Sequence, residues 1–364
     1  MYSFEPSEEQ KMLIDAINRY AVNDLRRKAH DADEESGYPK EVIEKGWELG
    51  VLQASIPEAY GGFGEHSVLT GVLAAEEMAY GDFAATLAVL TPALFALPIL
   101  VCGSEEQKQT YLPPIAEEEW QPYTAACIEP FFDFDLLEMR TTAEQKNGAY
   151  VLRGEKIYVP FADEAPKLIV YANLEGKTQA FLVDRDTAGI KIGERQKTLG
   201  INALPIFKVT FEDVVVPAEQ RLGGVDGCDL TPVFDSMHLA MAAMALGVSR
   251  AAFEYSRDYA KEREVFGVKV AQKQAIAFML AEMATEIEAI RLLAWEAAWM
   301  VDNNKEGAGK QAFLAHIGAM DMAMMVTDRA VQILGGHGYI REHPVELWMR
   351  NGRGFAMLTG LGMI

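Results

Sequence analysis

The long-period helical run that begins near Leu230 constrains this chain most. Apolar residues recur three and four apart over about Leu230–Glu264, Gln272–Asn303, Lys310–Leu334 and from Val345 onward. Helices of that length joined by short loops must bury their apolar faces on one another. The spacing therefore predicts an antiparallel four-helix bundle over residues 226–364. The methionines at Met320, Met322, Met324 and Met325 suit the irregular interior of such a bundle.

The first third is also helical, but in shorter pieces. Ser7 and Gln10 form a capping box before Met12, Leu13, Ala16, Ile17, Tyr20 and Leu25, which share one helix face. Pro39 opens a second helix that stops near Gly50, and Pro57 to Gly64 is turn-rich. Two apolar helices follow. Ser104 and Gln107 cap another that closes at Pro113–Pro114, which makes residues 1–120 an N-terminal α-helical domain.

The period shortens near Gln121. Strand-like runs appear at Tyr123–Ile128, Ala149–Arg153, Leu168–Tyr171, Gln179–Val183, Ile190–Gly193 and Ile206–Phe211, with turns at Asn147–Gly148 and Glu175–Gly176. Short, evenly spaced strands with hairpin signals predict a small antiparallel β-barrel or sandwich over residues 121–225. The class is α+β, mostly α.

Thirty-three basic against 54 acidic residues leave a net charge of −21, a poor match for nucleic acid or an anionic membrane. From Phe83 to Ser104 the chain carries no charge and is long enough to span a bilayer. Pro92 and Pro98 interrupt it, Asp82 and Glu105 flank it, and no Lys or Arg anchors it, so a buried helix pair broken near Pro92 is expected instead of a membrane span. Cys102, Cys127 and Cys228 lie far apart in sequence without a CxxC pair, which suggests neither a disulfide scaffold nor a metal site. With an acidic, polar N-terminus unlike a signal peptide, this predicts a cytoplasmic protein.

The order of helices, small β domain and long bundle resembles the acyl-CoA dehydrogenase family, and six collinear segments carry the resemblance. Pro57–Gly64 (PEAYGGFG) is similar to its PEEYGGxG turn, and Gly103–Pro113 (GSEEQKQTYLP) to its GTEEQKxxYLP segment. Phe211–Pro217 (FEDVVVP) is similar to the strand leaving its β domain, and Arg263–Gly267 (REVFG) to its RxxFG element. Gln274–Met283 is similar to its second bundle helix, and Gln332–Val345 (QILGGHGYIREHPV) to its QxxGGxGY segment.

The resemblance implies an FAD enzyme that oxidises an acyl-CoA to its 2-enoyl thioester and passes electrons to an electron-transferring flavoprotein. A carboxylate takes the α-proton while flavin takes the β-hydride. It also implies a homo- or hetero-tetramer, a dimer of dimers, in which each FAD lies across a subunit interface. The residues expected to hold the nucleotide end of a neighbour's FAD are Arg263, Phe266, Gln274, Gln332 and Gly336. Arg263 offers bidentate donors to phosphate, and Gly336 allows close backbone approach.

The flavin-ring end departs from the family pattern. Where the family reads YCVTEPxxGSD, Ala125–Asp135 reads AACIEPFFDFD. Cys127 and Ile128 occupy the flavin strand, and Ile128 lacks the usual threonine hydroxyl. The WIT triplet becomes Tyr158–Val159–Pro160, and Pro160 has no N–H to donate. Thr359 stands where the family has its catalytic glutamate and cannot act as a base; Met237 stands at the alternative glutamate position of some relatives. His238 and Asp133 are the replacement bases the sequence offers.

Because the trans set is kept and the cis set and base are changed, the expectation is a catalytically degenerate subunit. It would complete the FAD site of a different, catalytically complete chain. The alternatives are a self-sufficient dehydrogenase using His238 or Asp133 on an unusual substrate, and a flavin monooxygenase on the same fold.

Overall fold

A computed structural model describes residues 5–116 and 119–364. Helix α1 (Glu8–Tyr20) starts with the expected capping box: Gln10 N–H donates to Ser7 Oγ at 3.2 Å, and Ser7 N–H to Gln10 Oε1 at 2.9 Å. It runs through a π turn (Ala21–Leu25) into α2 (Arg26–Glu35), and α3 (Lys40–Trp47) follows Pro39. Next come α4 (Val68–Gly81), α5 (Phe83–Val89), α6 (Ala93–Cys102) and α7 (Glu105–Ala116).

The charge-free stretch is α5 and α6, bent by 55° about the break that contains Pro92. All of α5 and most of α6 are buried, so this pair is the core of the helical layer. Among the described residues no single helix is long and apolar enough to cross a membrane; the bent pair passes together, on length and composition only.

The middle segment forms β1 (Thr124–Ala126), β2 (Thr142–Lys146), β3 (Ala149–Pro160), β4 (Lys167–Leu174), β5 (Lys177–Asp184), β6 (Ile190–Arg195) and β7 (Ile206–Pro217). The sheet order is β1-β4-β2-β3-β7-β6, with β5 paired to β4. Hairpins dominate, as the turns predict, and Asn147 and Gly148 both take the positive φ that a tight hairpin turn needs. Two pairings are nevertheless parallel, β1 with β4 and β2 with β4. Neither joins strands connected by a tight turn, so nothing local imposes antiparallel direction. Strand β2 escapes the sequence pattern because only Ala143 of its five residues is buried.

The bundle comprises α8 (Thr231–Glu262), α9 (Gln274–Asp302), α10 (Ala308–Leu334) and the short α11 (Val345–Gly352), with a hairpin of β8 (Glu264–Val265) and β9 (Val268–Lys269) between α8 and α9. Residues 239–249 of α8 are buried without interruption because the helix has neighbours on all sides. One is α4, which approaches so closely that a Cβ on Gly247 would lie 2.2 Å from the Glu76 carbonyl oxygen. Gly247→Ala must push the two helices apart and is expected to cost about 1–3 kcal/mol, read as a lowered unfolding midpoint. Past α11 the chain turns inward: Leu361, Met363 and Ile364 are buried, with Ile364 against Gly71 of α4 and Gly362 against Met241 and Met244 of α8.

Candidate functional site

The five residues expected at a nucleotide end all reach the surface of this chain. Arg263 caps the C-terminus of α8, Phe266 and Gly267 turn the β8–β9 hairpin, Gln274 opens α9, Gln332 lies in the last turn of α10 and Gly336 follows it. A two-residue hairpin turn needs positive φ at both central residues, and Phe266 adopts φ 55° although bulky residues rarely do. That strained backbone holds its ring 93% exposed, with the Lys273 ammonium 5.8 Å from the ring centre. Among the described residues, the exposed Arg263 guanidinium makes no ion pair.

A Cβ built on Gly335 or Gly336 meets nothing within 4 Å, so no neighbour within this chain requires glycine at Gly336. A free guanidinium, two exposed amides, an open glycine backbone and an exposed aromatic ring form a donor set that fits a diphosphate with an attached flat base. The nucleotide end of FAD is chemically suited to this surface.

The flavin strand is different. Cys127 and Ile128 are buried at the end of β1. The Ile128 carbonyl accepts from Ile157 N–H at 2.8 Å, and the Cys127 carbonyl accepts from Lys156 Nζ at 2.9 Å. Tyr158 sits at φ 55° in a bulge of β3, and its N–H donates to Gln196 Oε1 at 2.8 Å. Pro160 is buried in register with Ile206. The carbonyls of Cys127 and Ile128 and the N–H of Tyr158 are thus engaged within the chain, and the side chains of Ile128 and Pro160 offer no donor. Beyond the Tyr158 phenol, these side chains bring no hydroxyl to the ring end of FAD, whereas the bundle surface presents a guanidinium and two amides to its nucleotide end.

Beneath this strand lies a fully buried ion pair that sequence reading missed. Lys156 Nζ is 3.0 Å from Glu129 Oε1, and Glu129 also accepts the backbone N–H groups of Arg140 and Thr141 at 2.7 Å. Burial pushes the Glu129 carboxyl up, but Lys156 and these hydrogen bonds outweigh it and hold it below the ordinary carboxylate range. A lysine alternating with apolar residues in a strand gives no sign that it points inward.

Thr359, expected at the base position, belongs to a chain of polar groups. Thr359 Oγ1 lies 3.0 Å from His316 Nε2, and the His316 ring packs 4.9 Å from that of His238. His316 is only 4% exposed. The Nδ1 atoms of both imidazoles are buried without a hydrogen-bond partner among the described residues. Gly360 presses on the flavin strand, since a Cβ there would be 2.8 Å from Cys127 Sγ.

The structure therefore brings His238 and Thr359 together through His316, which sequence reasoning did not single out. A histidine on the buried face of an amphipathic helix looks like any packing residue. Asp133 is left outside this cluster, exposed and paired with Arg140 at 2.6 Å through both carboxylate oxygens. Met237 is buried core.

Burial, and then the neighbouring His238, push His316 down to about 4. Burial, opposed by Asp135, also lowers His238. Asp235, one turn before His238 on α8, is pushed up to about 6 by burial and by Asp229. These shifts have opposite consequences. As pH falls from 6.5 towards about 4, an unfolded His316 takes its proton first, so the folded state loses about 2–3 kcal/mol. As pH falls from about 6 towards 3.8, the folded Asp235 takes its proton first and the folded state gains about 1–2 kcal/mol after solvent screening. Unfolding midpoints near pH 7 and pH 4.5 should show Asp235→Asn more acid-labile than the parent and His316→Gln less so.

Comparison with known proteins agrees with this geometry along the whole chain. Residues 7–119 match the model of the acyl-CoA dehydrogenase N-terminal domain, 126–214 the middle domain and 230–362 the C-terminal domain. The caffeyl-CoA reductase–Etf complex subunit CarC of Acetobacterium woodii is 34% identical over 98% of this chain and 96% of its own length. Cyclohex-1-ene-1-carbonyl-CoA dehydrogenase of Syntrophus aciditrophicus is 33% identical over 99% of this chain and 88% of its own length. Among solved structures, butyryl-CoA dehydrogenase of Megasphaera elsdenii superposes with a TM-score of 0.88 at 31% identity, covering 100% of this chain and 96% of the other.

Proposed function

The chain belongs to the acyl-CoA dehydrogenase family, FAD-dependent oxidoreductases acting on CH–CH groups, and from that premise we propose that it is the FAD-completing subunit of a hetero-oligomer. It acts in α,β-dehydrogenation of an acyl-CoA thioester. Its Arg263, Phe266, Gln274, Gln332 and Gly336 grip the nucleotide end of a FAD whose ring belongs to a different, catalytically complete chain. The observation that carries this reading is the contrast between that exposed, donor-rich surface and a flavin strand where Ile128 and Pro160 bring no side-chain donor to a ring.

When bound, FAD accepts the hydride that leaves the β-carbon. This chain's part is positional. Arg263 neutralises phosphate charge, the Gly335–Gly336 backbone allows close approach, and Phe266 covers an aromatic face. Its own Thr359 hydroxyl titrates far above neutrality and takes no α-proton. Electron delivery to an electron-transferring flavoprotein is supported by likeness to CarC, named as a subunit of an Etf complex. A dimer of dimers with two kinds of chain fits the exposed apolar residues Phe278, Leu292, Phe313, Ile317 and Met324 on α9 and α10.

One observation favours a second reading. The 3.0 Å contact between Thr359 Oγ1 and His316 Nε2 supports an imidazole beside the expected base position, as a self-sufficient dehydrogenase with a displaced base requires. Flavin stoichiometry separates the two. Purified alone, the chain is expected to carry no stoichiometric FAD, and co-purified with its complete partner it should show one FAD per two chains. One FAD per chain, with 2-enoyl-CoA formed by the lone protein, rejects the first reading in favour of the second.

A further inference from the structure

Cys102 and Cys228, 126 positions apart in sequence, are neighbours in the fold. Cys102 is the last residue of α6, and Cys228 follows the turn Gly223–Gly227 that leads into α8. The Cys102 thiol donates to the carbonyl oxygen of Asp229 at 3.3 Å, which sets its sulfur against the residue that directly follows Cys228. Both residues are half-buried, within reach of a small solute.

We propose that Cys102 and Cys228 form a reversible disulfide in response to a hydroperoxide, pinning the end of α6 to the entry of α8. Three features of the surroundings carry it. Arg221 lies flat against Gly227, where an added Cβ would be 2.1 Å from its Nη2, and donates to the Val225 carbonyl at 3.1 Å, so a guanidinium stands beside Cys228. The loop has positive φ at Gly223, Gly224 and Gly227, which gives its backbone freedom to bring the sulfurs into bonding geometry. The third cysteine, Cys127, is wholly buried, and burial pushes its thiol up to about 12, which leaves it unreactive.

The neighbouring Cys102 thiol, and then Arg221, hold the Cys228 thiol below its ordinary value, while Cys102, whose proton goes to the Asp229 carbonyl, is pushed up by Cys228 and by burial. Cys228 as thiolate attacks the peroxide oxygen, an alcohol or water leaves, and a sulfenic acid remains on Cys228. Cys102 then attacks that sulfur, a second water leaves and the disulfide closes. Two thiols are oxidised by two electrons and one peroxide O–O bond is reduced.

The test uses the full chain with whatever flavin it carries, treated with hydrogen peroxide. Titratable thiols under denaturing conditions should fall from three to one and return with dithiothreitol, and non-reducing peptide mapping should link Cys102 to Cys228. In Cys102→Ser, dimedone should label Cys228. In Cys228→Ser, no disulfide should form and Cys102 should stay unlabelled. Retention of three thiols in the parent protein, a link through Cys127, or dimedone on Cys102 overturns the proposal. The parent measurement needs no variant, so a poorly folding substitution leaves it decisive. It also leaves the FAD-completing role untouched, because that role involves neither cysteine.

Discussion

Replacing Lys156 by methionine while Glu129 stays is expected to lower the unfolding free energy by about 3–5 kcal/mol, enough to threaten folding at physiological temperature. Both side chains are at or near zero exposure, so removing the lysine leaves the carboxylate charge buried without its cation. Two backbone N–H groups would still satisfy Glu129 in part, which keeps the cost within that range. Glu129→Gln should cost less than Lys156→Met if the lysine can still donate to the Cys127 carbonyl, 2.9 Å away. A double change to methionine and leucine should recover most of the loss, because an apolar pair removes both desolvation penalties together. Urea midpoints at unchanged slope are the measurement. Equal stability of Lys156→Met and parent would mean that the pair is neutral or hydrated. The pair also matters for function, since Glu129 directly follows Ile128 and its hydrogen bonds fix where the flavin strand ends.

The legible parts of this molecule are those with a repeating physical signal. Apolar spacing gave α8, α9 and α10 to within two residues of their ends, because a helix with neighbours on several sides must be apolar over its whole length. Pro92, between charge-free runs, marked the 55° bend of α5 and α6. What stayed hidden depends on contacts between distant segments. Strand β1 lies parallel to β4, a pairing between segments 44 positions apart. His316 is separated from Thr359 by 43 residues, and Cys102 from Cys228 by 126, and nothing local records either meeting. Lys156 reads as a surface lysine until Glu129 is seen opposite it. At the site, residue types suggested a split between a kept nucleotide end and an altered ring end. Three-dimensional placement adds that one set is exposed with a free guanidinium, while Ile128 and Pro160 of the other are buried and bring no side-chain donor.

That split makes a prediction about a molecule other than this one. In the co-purified pair, Arg263→Ala in this chain is expected to weaken retention of the partner's FAD by about 10- to 150-fold, the equivalent of about 1.5–3 kcal/mol for a lost charge-assisted hydrogen bond. Gly336→Val should act in the same direction by occupying space that is open within this chain and reserved for a ligand. Neither change should destabilise the subunit, because among the described residues Arg263 makes no ion pair and Gly336 has no neighbour within 4 Å of an added Cβ. Ile128→Thr on the flavin strand should leave the partner's FAD unaffected, since in this arrangement no flavin ring rests on that strand. The readout is FAD released on dilution, followed by the recovery of free-flavin fluorescence, with unfolding midpoints measured in parallel. FAD loss on Arg263→Ala with no change for Ile128→Thr is the signature of a nucleotide gripped in trans. The reverse pattern would assign the cofactor to this chain's own β domain and make it an enzyme in its own right.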